Sequence, residues 1–126
     1  MKRLPILFAI FVTPAFADDA LVKTGQKTTI FNCGRCHVVP GGNPYGSIGS
    51  TPSFAVMRNY EDWKERFEAF YTEPPHIAVT QIEGITEDFD PARPPPMAPM
   101  LLTEADLEAI MAFVETIEPK DVGRIE

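Results

Sequence analysis

The sequence predicts a small all-α domain of short helices, preceded by a segment that is removed on export. The chain has 126 residues, of which 44% are hydrophobic, and this suits one globular domain. It contains 13 prolines, about twice the usual share of roughly 5%, so long helices and a large sheet are not expected. The apolar residues recur at helical spacing, and no stretch alternates with the period of two that is typical of a strand.

The first 17 residues have the pattern of a secretory signal peptide. Lys2 and Arg3 precede an uncharged apolar run over residues 4–16, and Ala15-Phe16-Ala17 gives the small-x-small pattern of a signal-peptidase site. The run is shorter than the roughly 20 residues that a membrane-spanning helix needs, which leaves a retained interfacial helix as the alternative. We expect residues 1–17 to be cleaved off after Ala17, so that residues 18–126 form a soluble, periplasmic domain.

The mature chain is expected to begin with a helix and a loop. Asp18 or Asp19 can cap a helix that runs to about Asn32, because an aspartate side chain accepts hydrogen bonds from the first unpaired backbone N–H groups. Residues 40–50, with the sequence PGGNPYGSIGS, have the composition of a loop.

Two shorter helices are expected in the middle of the chain. The Thr51-Pro52 pair predicts a capping residue followed by proline at the first helical position, which opens a short helix through Met57. A second, amphipathic helix is expected over residues 61–71, and Pro74-Pro75 sets its end because proline cannot continue a helix. Four aromatic residues form its apolar face: Trp63, Phe67, Phe70 and Tyr71.

The last helix has the clearest boundaries. Thr103 and Asp106 have the spacing of a capping box at its start, and Pro119 ends it. One apolar stripe runs along this helix: Leu107, Ile110, Met111, Val114 and Ile117.

Two cysteines and a histidine form the strongest functional signal. Cys33, Cys36 and His37 lie in the segment Cys-Gly-Arg-Cys-His, which has the Cys-x-x-Cys-His spacing of a c-type haem attachment site. In such a site both thiols add to the vinyl groups of one porphyrin, and the adjacent imidazole is the proximal ligand of the iron.

Two other interpretations of the cysteine pair remain open. A thioredoxin-type redox pair needs a strand before the motif and a helix after it, whereas this motif follows a predicted helix and enters a loop. A structural zinc site needs four ligands, which Cys33, Cys36, His37 and His76 are just enough to supply. Because Cys36 and His37 are adjacent in the chain, they would strain a tetrahedral site.

With this motif in place, the sequence resembles a class I monohaem cytochrome c over most of residues 20–118. The family pattern is a helix leading into Cys-x-x-Cys-His, a loop with a buried proline, middle helices, a methionine loop and a C-terminal helix. Gly25, eight residues before Cys33, matches the glycine of the family's first helix. The sequence departs from the pattern at Thr29, where the family usually has an aromatic residue.

The resemblance implies a cytochrome c-like bundle of short helices wrapped around one haem c, attached covalently through Cys33 and Cys36. It also implies that a proline carbonyl accepts a hydrogen bond from the His37 imidazole, and Pro52 fits this role best, with Pro44 as the alternative. The haem would add apolar surface to a chain that is short of core residues. We expect five side chains to pack against it: Phe31, Phe54, Trp63, Phe67 and Met111.

The sixth iron ligand has three candidates in the chain. Residues 91–99 (PARPPPMAP) form a stiff, polyproline-like segment that carries Met97, six residues before Thr103. In similar cytochromes the axial methionine lies in such a loop, so we expect Met97 to be the sixth ligand, opposite His37. His76 and Met100 are the other candidates, and an open site is also possible. Methionine raises the reduction potential, two imidazoles lower it, and an open site permits ligand binding.

Three side chains are candidates to bind the haem propionates, namely Arg58, Trp63 and Arg93. The sequence does not rank them. For each arginine a solvated surface position is the alternative, and for the tryptophan it is the core.

The function expected from the resemblance is one-electron transfer by a soluble periplasmic carrier, not an enzyme. The net charge of −7, which becomes −9 when the two basic residues of the leader are removed, argues against nucleic-acid binding. The same charge favours redox partners with basic docking patches. A haem-based ligand sensor and a dedicated subunit of a periplasmic oxidoreductase are the alternatives, because they use the same scaffold.

Overall fold

A computed structural model describes residues 18–123, so the predicted signal peptide lies outside the described residues. The elements follow one another along the chain as helix α1 (Asp19–Cys33), helix α2 (Phe54–Met57), helix α3 (Trp63–Glu68), two 3₁₀ turns (Phe70–Thr72 and His76–Ala78), strand β1 (Thr80–Ile82), strand β2 (Met100–Leu102) and helix α4 (Glu104–Glu115). No helix within the described range is both long and apolar enough to cross a membrane.

The two longest helices, α1 and α4, cross at Gly25. A Cβ atom at this position would lie 1.8 Å from the carbonyl oxygen of Ala109 and 3.0 Å from the Cβ atom of Phe113. Only glycine lets the two backbones approach this closely, and Gly25 is therefore required by the crossing itself.

The starts of both long helices agree with the sequence, whereas α4 ends at Glu115, before Ile117 and Pro119. Asp18 caps α1, since its carboxylate accepts from the backbone N–H of Ala20 at 3.1 Å. The predicted capping box of α4 is confirmed: the Asp106 N–H donates to the Thr103 hydroxyl at 3.2 Å, and the Thr103 N–H donates to the Asp106 carboxylate at 2.8 Å.

The start of α2 was predicted two residues too early. Ser53 is the N-cap residue, and its hydroxyl accepts from the backbone N–H of Val56 at 3.3 Å. Thr51 does not cap the helix because its hydroxyl donates instead to the carbonyl groups of Cys36 and Ile48. Pro52 therefore precedes the cap, and its carbonyl group is available to other partners.

Helix α3 is shorter than the predicted helix over residues 61–71. It ends at Glu68, because Ala69 leaves the α-helical region with φ −118° and ψ 11°. The chain then tightens into the 3₁₀ turn Phe70–Thr72. The Trp63 and Phe67 rings still meet edge to face, with centroids 6.3 Å apart, as the helical spacing predicts.

The fold is helical, as predicted, but it also contains a small sheet that no pattern in the sequence indicated. Strands β1 and β2 form a two-stranded parallel sheet, in which Thr80 pairs with Met100 and Ile82 with Leu102. Each strand has three residues, which is too short for a period of two to be visible in the sequence. The pairing is nevertheless stabilised by burial, since Ile82 is fully buried and Leu102 is 4% exposed.

The core lies between α4, the sheet and the short helices. Of the five side chains expected to pack against the haem, Phe54 and Phe67 are buried in the protein core. Phe31 is 80% exposed and is not part of this core. It lines an open groove near the end of α1, together with Leu101 of β2 and Asp106 of α4. The buried apolar side chains include Val39, Met100, Ile110, Phe113, Val114 and Ile117.

Candidate haem site

The site begins where α1 ends. Cys33 is the last residue of the helix, and its carbonyl oxygen accepts from the backbone N–H groups of Cys36 at 3.0 Å and His37 at 2.9 Å. These two bonds fold the motif into a tight turn that keeps both thiols and the imidazole together. Burial raises the pKa of the Cys33 thiol to about 12, although the charge of Arg35 acts in the opposite direction. The thiol is therefore protonated at neutral pH.

The His37 imidazole is oriented by a backbone carbonyl group. Its Nδ1 atom lies 2.7 Å from the carbonyl oxygen of Pro52. Pro52, and not the alternative Pro44, is therefore the proline that accepts the hydrogen bond from this imidazole. Because a carbonyl oxygen can only accept, Nδ1 carries the proton, and the lone pair of the neutral ring is on Nε2. A histidine prepared in this way offers one defined nitrogen to a metal.

Two further bonds tie the Pro52 segment to the motif. The Thr51 hydroxyl donates to the carbonyl oxygen of Cys36, and the backbone N–H of Phe54 donates to the carbonyl oxygen of Val38 at 3.0 Å. These bonds hold the Pro52 carbonyl group in place from both sides.

A second imidazole lies opposite the first. The ring centroids of His37 and His76 are 6.0 Å apart, and the ring planes differ by only 14°. The Phe54 ring meets His37 edge to face at 5.6 Å, and the Phe70 ring meets His76 in the same way at 5.5 Å. Burial lowers the pKa of His76, and the nearby His37 acts in the same direction, so the ring is neutral at neutral pH.

The two methionine candidates differ in environment. Met97 lies in the proline-rich segment 91–99 and is 41% exposed. Met100 is 5% exposed and belongs to the hydrophobic core, and its backbone N–H donates to the carbonyl oxygen of Val79 at 2.7 Å. Met100 is thus a packing residue in this fold, and Met97 as the sixth ligand stays a prediction.

One contact at the site has no signal in the sequence. Arg35, which lies between the two cysteines, donates from Nη1 to the carbonyl oxygen of Ala98 at 2.7 Å. The two residues are separated by 63 positions, so no local pattern could reveal the bond. It ties the attachment motif to the proline-rich segment.

The alternative of a structural zinc site is not supported by the positions of the ligands. Among residues 18–123, no group of three or more His, Cys, Asp or Glu side chains is arranged to hold a metal ion. The cysteine pair also follows a helix and enters a loop, unlike a thioredoxin-type redox pair.

With this geometry established, comparison with known proteins is informative. The family model for cytochrome c matches residues 22–118. The chain belongs to the cytochrome c family. No curated protein and no solved structure matches it. The family implies a covalent haem c, and this cytochrome has the two cysteines and the histidine in the spacing that such a haem requires.

The surroundings of Arg58 also fit a bound haem. The guanidinium of Arg58 lies 3.7 Å from the centroid of the Trp63 ring, and its buried Nε atom has no hydrogen-bond partner. An unpartnered buried donor on a cation is costly unless an anion satisfies it, and a haem propionate is such an anion. Arg93 is less suited, because it is exposed and pairs with Asp90 at 3.9 Å.

Proposed function

We propose that this cytochrome is a soluble periplasmic one-electron carrier, with a single haem c held through thioethers at Cys33 and Cys36 and through the His37 imidazole. The observation that carries the proposal is the orientation of the His37 ring beside the two cysteines. Its Nδ1 atom is hydrogen-bonded to the Pro52 carbonyl group. Bound haem would supply an iron that gains or loses one electron.

The residues of the chain have three tasks in this function. The turn at Cys33 holds two thiols and one imidazole together within a segment of five residues. The carbonyl group of Pro52 increases the basicity of the His37 ring, which favours the oxidised metal and tunes the potential. Arg58 would neutralise a propionate, which lowers the cost of burying that charge.

The proposed location and partners rest on the sequence. The pattern of residues 1–17 supports export to the periplasm. The net charge of −7, or −9 without the leader, supports partners with basic docking surfaces. A periplasmic dehydrogenase, an oxidase or a membrane complex could present such a surface.

The first experiment tests covalent attachment. The full chain is expressed in a bacterial host that matures c-type haem, beside a variant in which both cysteines are replaced, Cys33→Ser with Cys36→Ser. We expect the wild-type protein to stain for haem after denaturing electrophoresis, and its mass to equal residues 18–126 plus one haem. The variant should not stain.

A wild-type protein without covalent haem would overturn the proposal. An intact leader on a haem-containing protein would contradict only the cleavage after Ala17. Voltammetry of the holoprotein then tests electron transfer, for which we expect one reversible one-electron wave. Rapid binding of carbon monoxide to the reduced protein would instead support the haem-based sensor.

A further inference from the structure

We propose that the His76 imidazole, and not a methionine thioether, is the sixth ligand of the haem iron. The inference rests on the proposed haem function and specifies the second axial ligand of the same site. His76 would replace Met97, which the family pattern predicts as the sixth ligand.

The spacing of the two imidazoles is the first argument. Their centroids are 6.0 Å apart, with the ring planes within 14° of parallel. Two imidazoles that bind opposite sides of one metal ion through bonds of about 2 Å place their centroids roughly 6 Å apart. The separation seen between His37 and His76 is therefore close to the one that a shared metal ion requires.

The unused nitrogen atoms of His76 are the second argument. The ring is half-buried, and no residue within 18–123 forms a hydrogen bond with it. A neutral imidazole whose nitrogens form no hydrogen bond has a lone pair that can bind a metal ion. In His37, by contrast, Nδ1 is already hydrogen-bonded to the carbonyl oxygen of Pro52, which leaves Nε2 for the metal.

The third argument is that His76 is held by rigid structure. It begins a 3₁₀ turn whose backbone bonds are Ala78 N–H to Pro75 O at 3.2 Å and Val79 N–H to His76 O at 3.0 Å. The turn leads directly into β1, which is anchored by the fully buried Ile82. A ligand on such an element loses little conformational entropy when it binds.

The parallel sheet explains why the two candidate segments lie side by side. Thr80 pairs with Met100, so the residues that precede the two strands leave the sheet at the same end. His76 comes four residues before Thr80, and Met97 comes three residues before Met100. Of the two, His76 is the residue whose side chain reaches His37, whereas Met97 is 41% exposed.

The experiment compares the wild-type holoprotein with His76→Ala and with Met97→Leu as the matched control. We expect the wild-type ferric protein to be six-coordinate and low-spin, without the weak red absorption band of a methionine–iron bond. Met97→Leu should leave this spectrum unchanged. His76→Ala should either become high-spin and bind carbon monoxide rapidly when reduced, or acquire the methionine band. In both cases the reduction potential should rise because an imidazole ligand is lost.

The wild-type spectrum decides the question even if His76→Ala fails to mature. In the reduced protein, proton NMR would show the strongly shifted methyl resonance of a bound methionine, and we expect that resonance to be absent. Its presence in the wild type and loss in Met97→Leu would overturn the inference, and so would a high-spin wild-type protein. In either case the covalent haem would still support the proposed function, whereas absence of covalent haem would overturn both.

Discussion

At the scale of single residues, the structure shows how one imidazole is made ready for a metal. The Nδ1 atom of His37 is 2.7 Å from the Pro52 carbonyl oxygen. Thr51, the residue before Pro52, binds the motif through its hydroxyl, which donates to the carbonyl groups of Cys36 and Ile48. The orientation of His37 therefore depends on the threonine that precedes Pro52.

This arrangement predicts that Thr51→Val raises the reduction potential of the holoprotein. Valine has a similar size but cannot donate, so the hydrogen bond that the hydroxyl shares between the two carbonyl groups is lost, at a cost of about 1 kcal/mol. The Pro52 carbonyl group then holds the His37 proton less firmly, and the ring becomes a weaker donor to the oxidised metal. Voltammetry measures the effect.

Thr72→Val is the matched control. Its hydroxyl donates to the carbonyl oxygen of Ala69 at 2.8 Å, which is an exposed bond within a 3₁₀ turn, and we expect the potential to stay at the wild-type value. A Thr51→Val potential equal to or below that of Thr72→Val would contradict the positioning role of Thr51.

At the scale of elements, stability depends on the crossing of α1 and α4. The backbones meet at Gly25, where a Cβ atom would lie 1.8 Å from the carbonyl oxygen of Ala109. A carbonyl group in the middle of α4 cannot move aside without displacing the helix. The crossing also fixes the direction of α1, whose last residue, Cys33, begins the attachment motif.

We therefore expect Gly25→Ala to lower the free energy of unfolding of the holoprotein by at least about 2 kcal/mol, because the two helices must separate to admit the methyl group. Denaturant unfolding followed by circular dichroism measures this. Gly49→Ala is the matched control: no atom lies within 4 Å of its added Cβ, and we expect a change within about 0.5 kcal/mol. Equal stability of the two variants would show that the crossing tolerates a side chain.

At the scale of the whole molecule, the dominant property is negative charge. The chain has 18 acidic and 11 basic residues. The ion pairs of the described residues are exposed, as in Lys64–Glu115 and Arg66–Asp62, and such pairs contribute little to stability. The excess charge therefore affects mainly the encounter with partners.

We predict that electron transfer with small charged reagents depends on salt in opposite directions. Oxidation of the reduced holoprotein by a cationic cobalt(III) complex should slow as ionic strength rises, because screening weakens the attraction. Oxidation by the anionic hexacyanoferrate(III) should become faster. Stopped-flow absorbance measures both rates. If the two oxidation rates changed in the same direction as ionic strength rises, the haem edge would be shielded from the net charge.

The sequence by itself determined the parts of this protein that depend on residues close together in the chain. The attachment motif occupies five consecutive residues, and the capping box of α4 needs only Thr103 and Asp106. Local spacing was enough for the motif and the capping box, because the hydrogen bonds and covalent chemistry involved join near neighbours. Gly25 was identified through the family resemblance, and its close approach to Ala109 of α4 is seen only in the fold.

Tertiary structure alone decided what joins distant segments. The pairing of β1 with β2 brings together strands of three residues each, too short to carry a pattern. The bond from Arg35 to Ala98 and the approach of His76 to His37 depend on this pairing and on the loops that lead to it. Each side chain alone had several possible roles, and only its distance from the haem motif in the folded chain distinguishes them.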